Sequence, residues 1–211
     1  MEATVAVQSV ESVGQDTVAI TFESPAAFEA QPGQFVKLTG AVDDEEYSRF
    51  YTLSSPDVAE TFEITVEITE EGGPFSAYLA NLDAGDELDM TGPFGNDYYE
   101  GEQRVVVIAG GPGIGPAVGI GERARTEGAA VAIIYQDEAP AHTERLETLE
   151  ERGADVWITD DDIEEFVVAA VTGDDDEQVF VYGFADFVDA AVDAIEAAGG
   201  VPDGAKIENF G

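Results

Sequence analysis

The hydrophobic positions of this 211-residue chain follow two different rhythms. Up to about residue 100 they alternate with polar or small neighbours. Val18, Ile20 and Phe22 do so on one stretch, and Phe62, Ile64, Val66 and Ile68 interleave with Glu63, Thr65 and Glu67 on another. Such period-two alternation marks strands with one buried face. Turn chemistry at Gln31-Pro32-Gly33, Ala84-Gly85-Asp86 and Gly92-Pro93-Phe94-Gly95 divides this half into about six short strands. A single helix fits it, Pro74 to Asn81, with proline in its first turn. The pattern predicts a small antiparallel β-barrel.

After Tyr98-Tyr99-Glu100-Gly101-Glu102 the rhythm changes. Continuous apolar runs at Val105–Ala109, Val131–Tyr135, Val156–Ile158 and Val179–Tyr182 read as strands buried on both faces. Helical stretches alternate with them, roughly Pro116–Glu127, Ala141–Arg152, Ile163–Ala170 and Phe184–Ala198. In the last, Phe184, Phe187, Val188, Ala191, Val192 and Ile195 form one apolar face, and Gly199-Gly200 closes it. The expected architecture is therefore an antiparallel β-barrel domain over residues 1–101 followed by an α/β parallel-sheet domain over 102–211.

Charge changes the picture more than size does. The chain carries 46 acids against 8 Lys and Arg, a net charge of −38, while its 44% apolar content is that of an ordinary globular protein. The acids are spread over the whole length, which reads as adaptation to molar salt, where self-repulsion is screened. An acidic mimic of nucleic acid, or a binder of a cationic partner, is the alternative. No basic patch exists to neutralise phosphates, so nucleic-acid binding is not expected. Cysteine is absent, which excludes disulfides, thiolate zinc sites and cysteine-ligated clusters in this chain. The acidic runs Asp160–Asp162 and Asp174–Glu177 read as solvated loops, and no metal site is expected. The start Met1-Glu2-Ala3-Thr4 is not expected to be a signal peptide. The longest uncharged run, Val105 to Ile120, is broken by five glycines and two prolines, so no membrane insertion is expected and a cytoplasmic location is.

Against that background two cations stand out. Residues 1–100 contain 21 acids but only Lys37 and Arg49 as bases. Arg49 sits in Arg49-Phe50-Tyr51-Thr52, at the end of an extended stretch. Further on, Gly72-Gly73-Pro74-Phe75-Ser76 opens the short helix, where free N–H groups favour an anion. One charged pincer and one aromatic platform suit a flavin nucleotide. In the second half, Gly110-Gly111-Pro112-Gly113-Ile114-Gly115-Pro116 follows a buried strand and opens a helix. It is either a bare strand-to-helix turn or a place where a pyrophosphate approaches backbone N–H groups. The next strand ends in Asp137 and Glu138, and an acid there can accept hydrogen bonds from a ribose.

The order of these elements resembles the ferredoxin–NADP reductase-like family of flavin oxidoreductases, over roughly residues 3 to 211. The resemblance implies FAD in the barrel domain and NAD(P)H in the second. It implies that Arg49 contacts the flavin pyrophosphate, with Phe50 beside it, that Tyr51 packs on the isoalloxazine and that Thr52 stands near flavin N5. Gly73, Pro74, Phe75 and Ser76 would present the helix start to the pyrophosphate. Gly111, Pro112, Gly113 and Ile114 would line the dinucleotide site, with Asp137 on the ribose. Tyr182 and Phe184, in Val181-Tyr182-Gly183-Phe184, replace the family's Cys and Pro beside the nicotinamide. Phe210, in the C-terminal Ile207-Glu208-Asn209-Phe210-Gly211, would cover the flavin. Plainer readings stand beside these: Tyr51 as barrel core, Ser76 as a helix-start hydroxyl, Phe210 as a core plug. His142, the only histidine, reads as a surface residue.

The implied chemistry is hydride transfer from nicotinamide to flavin and onward passage to a carrier, ferredoxin being the favoured acceptor. Asp137 and Glu138 favour NADH over NADPH, whose extra phosphate wants arginines; the nearest are Arg123, Arg125 and Arg145. Two other classes are open. One is an electron-transfer subunit of a larger complex, weakened by the missing cysteines. The other is a non-catalytic acidic interaction module.

Overall fold

The computed structural model describes residues 1–69 and 73–211. Six strands form the first sheet: β1 (Glu2–Ser12), β2 (Thr17–Glu23), β3 (Phe35–Val42), β4 (Glu45–Thr52), β5 (Thr61–Glu67) and β6 (Glu87–Phe94). Their order is β4-β3-β6-β1-β2-β5, every pairing antiparallel. A bridge from Leu53 to Ile64 brings the two ends of the sheet together. The alternating residues explain the closure. Ile20, Phe22, Phe62 and Ile64 point inward and are fully buried, each worth about 1.5–3 kcal/mol relative to exposure. The helix α1 (Gly73–Leu79) plugs this barrel with Phe75 and Leu79.

Five parallel strands form the second sheet: β7 (Arg104–Gly110), β8 (Ala130–Gln136), β9 (Asp155–Thr159), β10 (Glu177–Gly183) and β11 (Lys206–Asn209), in the order β11-β10-β7-β8-β9. The helices α2 (Ile114–Glu127), α3 (Thr143–Glu151), α4 (Glu164–Ala170) and α5 (Ala185–Ala197) connect them. Two core clusters lie on its faces, one with Val105, Val107 and Ile133 and the other with Val106, Ile108 and Ile134. Burial on both faces is what the unbroken apolar runs encode. No helix of the described residues is long and apolar enough to cross a membrane.

Four local expectations change. Strand β6 continues through Gly92-Pro93 to Phe94, where the residues predict a turn. Proline brings no N–H, and a shift of register opposite, between Phe35 and Lys37, accommodates it. Glu177 is not a solvated loop residue: its side chain is 3% exposed and bonds Arg104 at 2.9 Å. Burial would push its carboxyl up, but the Gly173 and Thr172 N–H groups and Arg104 together hold it below the usual range. Phe184 is not on the α5 face; it precedes the helix and is half exposed. His142 is not a surface residue but is 4% exposed, in the seam between the halves.

Candidate functional site

A cleft of about 870 Å³ opens between the two sheets. On the barrel side it is lined by Arg49, Phe50, Tyr51 and Thr52 from β4, by Glu67 at the end of β5 and by Ser76 of α1. On the other side stand Gly111, Pro112 and Pro116 at the start of α2, and Phe184, Glu208 and Phe210. A pocket of this size, mostly apolar with a few placed polar groups, is what a dinucleotide-sized ligand needs.

Strand β4 delivers its residues in alternation. Arg49 is exposed, and among the described residues its guanidinium donates only to the Ser48 carbonyl, at 2.9 Å. By contrast Arg104, Arg123, Arg145 and Lys206 each hold a carboxylate. Lys37, Arg125 and Arg152 also have no carboxylate partner among the described residues, but of these four cations only Arg49 lines the cleft. Tyr51 is half-buried against the barrel core and its hydroxyl is held protonated by burial. Thr52, 8% exposed, donates from Oγ1 to Glu208 Oε1 at 3.0 Å. Burial, opposed by the Thr52 hydrogen bond, pushes the Glu208 carboxyl up to about 7.

The C-terminal residues reach the cleft because β11 adds to the sheet beside β10, with Tyr182 opposite Glu208 and Gly183 opposite Asn209. The Phe210 N–H then donates to the Gly183 carbonyl at 3.0 Å, and its ring meets the edge of Phe184 at 6.0 Å. This strand escaped the sequence pattern because four residues are too few to show a period.

Other expected residues are placed elsewhere. Gly72 lies outside the described residues. Gly73 and Pro74 do not line the cleft, and Phe75 is fully buried in the barrel core. Ser76 lines the cleft while donating back to the Gly73 carbonyl at 3.1 Å, so the helix-start hydroxyl and the cleft residue are one. Of the glycines of this turn, Gly111 alone lines the cleft, together with Pro112 and Pro116. Its φ of +54° suits glycine, and an added Cβ would meet nothing nearer than Glu67, at 3.8 Å. Gly113 instead presses on the Tyr182 carbonyl, and Ile114 is fully buried. Asp137 lies at the carboxyl end of β8, accepting from Tyr135 Oη at 3.0 Å and from the Ala139 N–H at 2.7 Å. The Tyr182 ring, 1% exposed, stacks on Phe180 and does not line the cleft; a Cβ on Gly33 would stand 2.8 Å from its hydroxyl.

Glu67 and Thr65 were invisible as site residues, being ordinary strand polars that alternate with core residues. Burial, then the charges of Asp137 and Asp16, push Glu67 above the usual carboxylate range.

A closed antiparallel barrel, a parallel sheet with a glycine turn after its first strand, and a cleft between them make up a two-domain fold. Residues 4–99 match the family model described as an oxidoreductase FAD-binding domain. Over this barrel half the chain is similar to the FAD-binding domains of oxidoreductases. A relative from Methanopyrus kandleri, described as a probable dihydroorotate dehydrogenase B (NAD(+)) electron transfer subunit, is 33% identical over 63% of this chain and 48% of its own. A glycine betaine monooxygenase reductase subunit from Chromohalobacter salexigens is 37% identical over 44% of this chain and 26% of its own. The chain thus spans less than half the length of these curated relatives. Among solved structures, a ferredoxin NADP+ reductase from Neisseria gonorrhoeae with bound FAD and NADP shares the fold, with a TM-score of 0.82 at 18% identity, covering 100% of this chain and 99% of the other.

Proposed function

We propose that this chain is an NAD(P)H-dependent flavin oxidoreductase that holds FAD in the cleft and passes electrons to a separate carrier such as ferredoxin. The observation that carries this reading is the pairing, in one cleft, of an arginine with no carboxylate partner among the described residues and the part-buried Thr52–Glu208 hydrogen bond. The residues fit the cofactor. Arg49 offers a planar fork to a diphosphate, and the Tyr51 and Phe210 rings lie at the cleft walls, where a flat tricycle would sit between them. Bound there, FAD would supply hydride acceptance from a nicotinamide and release of electrons singly or in pairs.

The chain's own part is positioning and proton control. Glu208 stands about neutral pH between its two forms. When ionised it takes the Thr52 hydrogen; when protonated it leaves the Thr52 hydroxyl free to donate into the cleft. Flavin reduction by nicotinamide is therefore expected to quicken as pH falls through about 7. In Glu208→Gln, the neutral counterpart of the protonated form, that inflection should vanish and the rate should stay near the low-pH limb. A pH profile unchanged by the substitution would separate Glu208 from the reaction.

Phe210 and Phe184 flank the place a nicotinamide would enter, and Gly111 leaves its backbone open to a pyrophosphate. Asp137 supports NADH over NADPH. None of the arginines that could serve a 2′-phosphate is at hand: Arg123 pairs Glu127, Arg125 bonds the Ala129 and Arg152 carbonyls, and Arg145 is held by Glu122 and Glu63. The decisive experiment is a visible spectrum of the protein in molar KCl before and after NADH. A yellow protein bleached by NADH, with NADPH slower by roughly tenfold or more, is expected. A colourless protein that takes up no FAD refutes the reading, and preference for NADPH refutes the charge argument. Two relatives are described as subunits, one of them for electron transfer, which supports an acceptor carried on another chain. A high-salt cytoplasm is the setting the net charge of −38 supports.

A further inference from the structure

Three of the five buried polar residues, Ser54, Thr65 and His142, form one chain across the seam between the halves. Ser54 Oγ lies 2.7 Å from Thr65 Oγ1, which lies 2.8 Å from His142 Nε2. His142 Nδ1 is buried with no partner. Burial, and secondarily the Arg145 charge, push the imidazole down to about 3, so the ring is neutral. Placing its proton on Nε2 leaves only a lone pair unmatched, which costs less than an orphaned N–H. His142 thus donates to Thr65, whose own hydrogen goes to Ser54.

Helix α2 lies directly on this chain. A Cβ on Gly115 would stand 2.7 Å from both Ser54 Oγ and Thr65 Oγ1, and one on Gly119 would stand 2.9 Å from the Ser54 backbone. The hydroxyl pair is therefore the surface on which the start of α2, and the Gly111 turn before it, rests. His142 itself is fixed from two directions. Its N–H donates to the barrel's Val13 carbonyl at 2.8 Å, and its carbonyl accepts the Arg145 and Leu146 N–H groups of α3 at 3.0 Å. Its φ of +54° is an uncommon conformation for a residue other than glycine. Thr65 also lines the cleft.

We propose that His142 is a positioning residue: through Thr65 and Ser54 it sets the seat of α2 on the barrel, and so the distance from the dinucleotide turn to the flavin. This rests on the flavin–nicotinamide reading of the cleft. An apolar ring of similar size would fill the space without orienting the hydroxyls.

Two readouts test it, one without cofactor. In FAD-free protein, His142→Phe should speed amide hydrogen exchange over residues 115–120 about tenfold, and Thr65→Val should do the same from the barrel side. His142→Gln, whose amide can still donate to Thr65, should restore protection. In FAD-loaded protein, single-turnover reduction by saturating NADH should slow about tenfold per bound flavin in His142→Phe, with KM changed less than twofold and recovery in His142→Gln. Wild-type exchange and wild-type rate per flavin in both His142→Phe and Thr65→Val would overturn the proposal, as would failure of His142→Gln to recover either. If wild-type protein is not reduced by NADH, the parent reading has failed; the exchange measurement still reports the seam separately.

Discussion

Arg49→Ala is expected to yield protein that folds but loses its yellow colour on gel filtration. Arg49 makes no ion pair among the described residues and its side chain is exposed, so the one described contact its removal takes away is the bond to the Ser48 carbonyl. What it removes is the charge poised at the end of the cleft. A guanidinium bound to a diphosphate through charge-assisted hydrogen bonds is worth about 3 kcal/mol, or roughly 100-fold in the dissociation constant of FAD. Arg49→Lys keeps the charge but not the fork, and should sit between the two at about tenfold. Fluorescence titration of FAD-free protein measures all three. Equal affinity in wild type and Arg49→Ala would remove Arg49 from the flavin site.

Loss of salt should have the other large effect. With 46 acids against 8 bases on a 22.3 kDa chain, like charges crowd the surface, and few cations relieve them. Arg104, Arg145 and Lys206 are already spent in partly buried pairs. In about 2 M KCl the screening length falls below about 3 Å, whereas at about 0.1 M it is near 10 Å, enough for neighbouring carboxylates to repel. The melting temperature is expected to fall by more than about 10 °C between these conditions, and FAD should recover part of the loss by binding only the folded state. Circular dichroism at a series of KCl concentrations checks it. A melting temperature insensitive to salt would mean that the acids are adapted to a cationic partner instead.

Much of the architecture was legible because its signals are local. The unbroken runs Val105–Ala109 and Val131–Tyr135 could only be strands covered on both faces, and both lie within β7 and β8. Phe62, Ile64 and Val66 gave β5 through alternation alone. Arg49 and Thr52 stood out because a lone cation and a motif need no tertiary knowledge. Residues whose roles depend on what packs opposite them did not stand out. Gly113 and Gly111 look alike in the chain, yet one seals against Tyr182 and the other opens to the cleft. Tyr182 sits where a motif would place a nicotinamide neighbour, but its ring is buried in the core of the second sheet.

His142 gives the clearest contrast. Its neighbours Ala141 and Thr143 and the following charged helix suggest exposure. The loop that carries it folds against Val13 of the barrel, and that contact spans more than a hundred residues of chain.

The order of residues alone therefore settled the two kinds of sheet, the helices between them and the acidity, and it singled out Arg49 as a candidate, since each depends on periodicity, charge or composition. Tertiary structure alone decided which polar side chains meet: Thr52 with Glu208, Thr65 with His142, Arg145 with Glu63 and Glu122. Hydrogen bonds act over about 3 Å and join residues far apart in the chain, so no local pattern records them.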